Sequence, residues 1–379
     1  MTGYAARRLL GAIPLLAVVS LIAYLLLYRA ADPVARLRQI PTVRPEDVER
    51  LVEQQGLDRP WYEGYWAWLS GFVRGEWGVS ATNRGVDASE PILAAIPATL
   101  ELMLLALAVS AAGALAVALT SARRPGGPAD HALGGLALLG FATPTFLVGV
   151  LLQLGALWMR DHGWAVLPFA AGLLLALAGL ARLRRGGAAT IALIVAGAAL
   201  AALAAALWGR LGGDGRVVLY TGQRFSFDRE GDLFSVDHLQ HLVLPVLTLA
   251  LVNLAVWSRY QRAVLVEAMA SEPVRAARAR GLPERRLLLA HGLRTSLGPL
   301  VVLVGLDLGA LFAGAVVTET VFSWPGLGLL LRDAALARDI NVAMGIVMIT
   351  AAAVVVANLA ADLAAAALDP RVRLGERPA

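Results

Sequence analysis

The chain has 379 residues, 58% of them hydrophobic and only 16% charged, with a mean hydropathy of +0.67. A soluble domain carries about 25% charged residues, so this deficit, together with several long apolar runs, indicates an all-α polytopic membrane protein. The net charge of +5 does not point to nucleic acid, because the arginines collect at the edges of apolar runs, where they report topology.

Lysine is absent, so every basic side chain is an arginine that stays charged. Cysteine is absent too, which excludes disulfides, thiolate metal sites and cysteine nucleophiles. The five histidines are scattered and form no HExxH. His238 and His241 are three residues apart but lack a carboxylate motif, so no metal site is expected. No GxxxxGK[ST] phosphate loop occurs, so the chain itself carries out no ATP chemistry and is not expected to be an enzyme.

Arg7 and Arg8 precede an uncharged run, Leu9 to Tyr28, long enough to cross the bilayer. The arginines place the N-terminus in the cytoplasm. The run is longer than a signal peptide's apolar region, so residues 1–30 read as an uncleaved first span. Residues 31–97 are polar and tryptophan-rich, and are expected outside, with the group Trp61, Tyr62, Tyr65, Trp66 and Trp68 on a short interfacial helix. Residues 98–165 hold a second span, about Leu102 to Ser121, and a third, about Ala132 to Trp158. Pro144 removes a backbone donor inside the third and predicts a kink there, making it a pathway candidate.

Residues 166–208 read as an apolar hairpin, Val166 to Ala181 and Ala188 to Trp208, around Arg182, Arg184 and Arg185. Its arms are almost wholly Ala, Leu, Gly, Val and Ile and offer a polar substrate nothing to bind, so a peripheral packing role is expected. Residues 209–240 are polar and expected outside. Residues 241–379 begin with a span at His241 and continue into the basic loop 259–299. That loop carries eight arginines against three glutamates, which marks it as cytoplasmic. In its middle, Arg275, Arg278 and Arg280 are interspersed with the small Ala276, Ala277 and Ala279. Gly281, Leu282 and Pro283 then stop the run. Such a helix suits the groove of a partner protein whose rim carries acids.

A span from about Leu300 to Val321 follows, with Asp307 inside it and Glu319 near its outer end, both pathway candidates. Next comes Phe322-Ser323-Trp324-Pro325-Gly326-Leu327-Gly328, where proline and glycines predict a tight turn at the external mouth. Phe322 and Trp324 suit either a plug for a narrow pathway or an interfacial anchor. The plug reading expects Trp324→Ala to let the pathway leak with little change in stability. The last span, about Val342 to Leu368, returns the chain to a cytoplasmic C-terminus.

The run Arg275 to Leu282 resembles the EAA loop of bacterial ABC importer permeases, in the variant of the dipeptide, oligopeptide and nickel branch. Arg275 stands where the loop's naming glutamate would be. The segment Glu319 to Gly328, the His241-Leu-Val-Leu-Pro245 start, Pro97-Ala-Thr-Leu-Glu-Leu102, Arg7 to Leu16 and Leu368-Asp-Pro-Arg-Val-Arg373 are similar to the same family. The match is partial after the first span, where only Asp32-Pro33 of the usual Pro-Gly-Asp-Pro is present. The hairpin 166–208 has no counterpart in a typical six-span relative.

The resemblance implies a six-span type I permease core, raised to eight spans by the hairpin, in the bacterial cytoplasmic (inner) membrane. It implies that Arg275 to Leu282 couples to an ATPase and that Phe322 to Gly328 forms an outer gate. The implied partners are a second homologous permease, two ATP-binding subunits that carry ATP and Mg, and an extracytoplasmic solute-binding protein. The implied cargo is a peptide, with nickel chelates or another small solute as alternatives. From the residues alone, a proton-coupled secondary transporter using Asp307 and Asp362 is the competing reading.

Overall fold

A computed structural model describes residues 2–30, 46, 60–81, 85–123, 125–162, 219–225 and 235–368. The expected hairpin 166–208 lies outside the described residues. The described chain is helical, with one isolated bridge between Val79 and Asp87. Among the described residues five helices are long and apolar enough to cross a membrane, or six when one bent pair counts as a single span.

Residues 1–146 and 245–379 make one compact unit. Helix α1 (Thr2–Ala30) lies along the C-terminal helix, and α2 (Trp61–Arg74) packs on α1. The α2 contact is aromatic: Tyr24 meets Tyr65 edge to face, and the Tyr65 hydroxyl lies 2.9 Å from Ser20 Oγ. The interfacial rings of the sequence thus divide. Tyr65 is buried, while Trp61, Tyr62 and Trp66 stay exposed on the other side of α2.

Helix α3 (Ser89–Ala122) runs through the middle of this unit. Its buried positions include Ala98, Leu102, Ala106, Ser110, Ala114 and Ala118, a four-residue repeat that places small side chains in one stripe. Small residues let helices approach closely in a membrane, where no hydrophobic driving force separates helix from lipid. Ser110 Oγ accordingly reaches the carbonyl of Ala250 on another helix at 3.2 Å. The helix starts well before the expected span at Leu102, with Pro97 inside it.

The expected third span is two helices, α4 (Pro128–Ala142) and α5 (Thr145–His162). Thr143 between them has extended backbone, φ −92° and ψ 123°. Pro144 therefore ends a helix rather than kinking one, as its effect on the preceding residue requires. Helix α6 (Val236–Ala270) leads into α7 (Glu272–Ala279), the short helix of the basic loop.

The expected seventh span is interrupted as well. A helix α8 (Glu284–Leu306), containing a π-helical stretch Leu287–Gly292, ends at Asp307, and α9 (Leu308–Val321) begins beyond it. Where one rod from 300 to 321 was expected, the chain breaks at its acid. The chain then turns through 322–326 into α10 (Leu327–Ala337), reverses at Arg338 (φ 60°) and enters α11 (Ile340–Leu368). Helices α8 and α11 cross so closely that a Cβ on Gly305 would overlap Ala361. A glycine there is the condition for the crossing.

Residues 147–244 make the second unit. Within it Gln153 Nε2 donates to the carbonyl of Thr221 at 2.7 Å. His241 stacks on Tyr220 at 4.0 Å and His238 on Phe225 at 4.6 Å. Both histidines pack on rings and lie within hydrogen-bond distance of backbone carbonyls, Gly222 for His241 and Arg224 for His238. Among the described residues no group of three His, Asp or Glu is arranged to hold a metal ion.

Candidate functional site

Two constructions stand out, one in the basic loop and one beyond α9. In the loop, Ser271 precedes α7 with extended backbone, Pro273 sits in the first turn, and Glu272 and Arg278 stand at the ends that suit the helix dipole. Val274 and Ala277 are buried against Leu287 at the start of the π-helical stretch, with Met269 and Leu282 beside them. Gly281 follows at φ +79°, a left-handed conformation that favours glycine, and Pro283 opens α8.

The small residues therefore do not all serve one surface. Ala277 faces the chain's own core, while Ala276, Ala279 and Gly281 are exposed together with Arg275, Arg278 and Arg280. Leu282 is half-buried and holds the turn. Arg275 pairs with Glu272, and Arg278 donates to Glu284 at 2.7 Å. Arg280 has no ion pair among the described residues. The exposed face thus combines small side chains with a surplus of arginine.

Behind it, Arg262 of α6 grips Asp130 of α4 with two hydrogen bonds of 2.5 Å, and the Gly126 amide adds a third at 2.8 Å. This tie fixes the helix that delivers the chain to the loop. The sequence reading missed it. Its signal was a single acid, Asp130, close after Arg123 and Arg124.

The second construction centres on Glu319, which is fully buried. Its Oε1 accepts from the Thr99 hydroxyl at 2.7 Å, and its Oε2 accepts from the Gly328 and Leu329 amides at 2.7 and 3.0 Å. Thr99 Oγ1 in turn accepts from the Leu327 amide at 2.7 Å. Those three amides open α10 and have no partner within their own helix. Side chains from α9 and α3 thus cap α10 from outside.

Gly326 and Gly328 are required by crowding. A Cβ on the first would meet Glu319 and Thr99, and one on the second would meet Val316. Ser323 has φ +48° and, like Pro325, lies on the exposed side of the turn. Leu327 is buried at the start of α10.

Phe322 and Trp324 are wholly buried, and Trp324 Nε1 donates to the Ala98 carbonyl at 2.9 Å. Inside this chain they are packed side chains rather than free ones. Truncating a buried tryptophan costs about 3–5 kcal/mol, and here it also removes the donor to Ala98. We therefore expect Trp324→Ala to lower the melting temperature of the purified protein clearly. An unchanged melting temperature would contradict the packing described here.

The three pathway candidates lie apart. Pro144 follows the break after α4, Glu319 is enclosed in its hydrogen bonds, and Asp307 stands half-exposed at the break between α8 and α9. Asp307 Oδ2 accepts from Trp257 Nε1 at 2.7 Å, and Trp257 is buried among Ala114 and Leu300. The sequence singled out Asp307 but gave no hint of its tryptophan partner.

Known proteins match this chain over nearly its whole length. A family profile described as binding-protein-dependent transport system inner membrane component matches residues 189–374, and the N-terminal profile of the same family matches residues 1–93. The first begins inside the 166–208 stretch. The oligopeptide transport system permease protein OppB of Mycobacterium tuberculosis is 34% identical over 375 residues, covering 99% of this chain and 100% of that one. AppB, the oligopeptide transport system permease protein of Bacillus subtilis, is 30% identical over 98% of this chain and 99% of its own. The dipeptide transport system permease protein DppB of Escherichia coli is 29% identical, again over 98% and 99%. The chain belongs to the binding-protein-dependent transport system inner membrane components, the non-catalytic multi-pass permease subunits of ABC transporters in the bacterial inner membrane.

Proposed function

We propose that this chain is one permease subunit of an ATP-driven importer carrying di- or oligopeptides across the cytoplasmic membrane. The full-length similarity to permeases named for oligopeptide and dipeptide transport carries the reading. The exposed cationic face of Arg275, Ala276, Arg278, Ala279, Arg280 and Gly281 supports it, because it is shaped for docking rather than for chemistry. In this reading the face couples to an ATP-binding subunit, two of which hold ATP and Mg. A second, similar permease completes the pathway, and an extracytoplasmic solute-binding protein delivers the peptide. ATP drives the cycle only through different affinities for the inward-open and outward-open states.

The same reading gives eight spans, with both termini and the loops around 182–185 and 259–299 in the cytoplasm. The segments are 1–30, 31–97, 98–165, 166–208, 209–240 and 241–379, with 166–208 a peripheral pair of spans. The segment Phe322 to Gly328 works at the outer mouth as a fixed rim built on Glu319. A proton relay through Asp307 and Asp362 finds less support, because Asp307 is bonded to Trp257 and Asp362 to Arg8.

Two measurements test this. The complex reconstituted with its binding protein is expected to accumulate labelled di- or oligopeptide only with ATP; uptake driven by a pH gradient without ATP would overturn the importer reading. The chain has no cysteine of its own, so Leu183→Cys is a clean reporter. It is expected to react with a membrane-impermeant thiol reagent only from the cytoplasmic side, and labelling from outside would overturn the eight-span scheme.

A further inference from the structure

The first helix carries a feature outside the two constructions described above. Near its N-terminal end α1 borders α11 across a cleft of about 500 Å³, lined by Arg7, Arg8, Gly11, Leu15, Val355 and Asn358. Charge is gathered at one end of it. Arg8 pairs with Asp362 at 3.2 Å, whereas exposed Arg7 has no ion pair among the described residues. The side-chain oxygen of Asn358 is buried and lacks a hydrogen-bond partner.

The other walls are apolar, and Leu15 leads from the cleft onto a face of α1 where Val18, Ile22 and Leu26 are all more than half exposed. Only 11% of the apolar window of α1 is buried. A helix so apolar and so little covered faces lipid, and basic clefts between membrane helices on the cytoplasmic side suit anionic headgroups. A free phosphate would use the charged end alone. The continuous apolar wall calls for a ligand with a chain attached.

We propose that this cleft holds one anionic phospholipid, its phosphate against Arg7 and Arg8 and its acyl chains along α1. Phosphatidylglycerol has the required net negative charge. Placing the lipid in the cytoplasmic leaflet rests on the topology proposed above; the cleft itself does not, and the test below reads lipid retention rather than uptake or orientation.

The test is native mass spectrometry of the full chain, alone and assembled with its subunits, titrated with palmitoyl-oleoyl phosphatidylglycerol or its phosphatidylcholine counterpart. We expect one phosphatidylglycerol to be retained and phosphatidylcholine to be lost. Arg7→Ala combined with Arg8→Ala should reduce retention at least tenfold. Because removing arginines can disturb insertion, Gly11→Phe is the second variant. A side chain at Gly11 projects into open space, so it fills the cleft and keeps both charges. It too should lose the lipid. Retention unchanged in Gly11→Phe, equal retention of phosphatidylcholine, or displacement of the lipid by millimolar inorganic phosphate would each overturn the proposal. So would loss of the lipid on assembly, which would show that a partner subunit fills the cleft.

Discussion

Glu319→Ala is expected to be the most damaging single substitution in the described chain. It leaves the Thr99 hydroxyl and the Gly328 amide buried without their acceptor, and strips the half-buried Leu329 amide of its bond. Each buried donor left unmet costs about 1–3 kcal/mol, and bonds to charged groups lie at the upper end. Thermal unfolding of the purified protein should show a large loss, with α10 no longer capped.

Glu319→Gln separates acceptor geometry from charge. Its carbonyl can keep both backbone amides, since they share one carboxylate oxygen. Its new NH2 can donate to Thr99 Oγ1, which now receives the Leu327 amide and has a second lone pair. The Thr99 proton and the second hydrogen of the new NH2 must find other acceptors. Its loss should therefore fall clearly between wild type and Glu319→Ala. Equal losses for Gln and Ala would show that the negative charge, rather than the set of acceptors, holds the segment.

Gly281→Arg is expected to act on transport instead. The left-handed backbone there strains any other residue by roughly 1–2 kcal/mol, yet no atom lies within 4 Å of where a Cβ would stand. Local structure should survive, and the added bulk lands beside Ala276 and Ala279 on the exposed face. ATP-driven uptake by the reconstituted complex should fall at least tenfold while the chain still inserts. Gly281→Ala carries the same backbone strain without the bulk and should keep most uptake, which assigns the loss to docking. Normal uptake and normal co-purification of the ATPase in Gly281→Arg would remove the coupling role from this loop.

These two positions show what the sequence could convey. Gly281 was legible because a local conformation needs a local residue: small side chains, then Gly-Leu-Pro, state where a helix stops. Glu319 was legible only as an acid in an apolar segment. Its meaning lies in Thr99, 220 positions away, and no periodicity links residues that far apart. The same limit hid Trp257 from Asp307 and Arg262 from Asp130.

Helix breaks were misjudged for a different reason. An apolar run reads as one span whether or not its hydrogen-bond ladder is continuous, so Leu300 to Val321 concealed the break at Asp307. Trp324 reverses the usual expectation of an exposed ring near a membrane surface, because a turn made of Gly and Pro can fold its aromatic side chains back onto α3.

The external capping of α10 also has a mechanical meaning. Bonds from Glu319 and Thr99 make α9, the turn and α10 one stiff strut seated on α3. Force applied at either end of that strut cannot be absorbed by flexing the turn. It must appear as rotation at the two ends of the strut, the interruption between α8 and α9 at Asp307 before it and the left-handed Arg338 after it. Those joints, rather than the glycine-rich turn between them, set how far this part of the chain can swing.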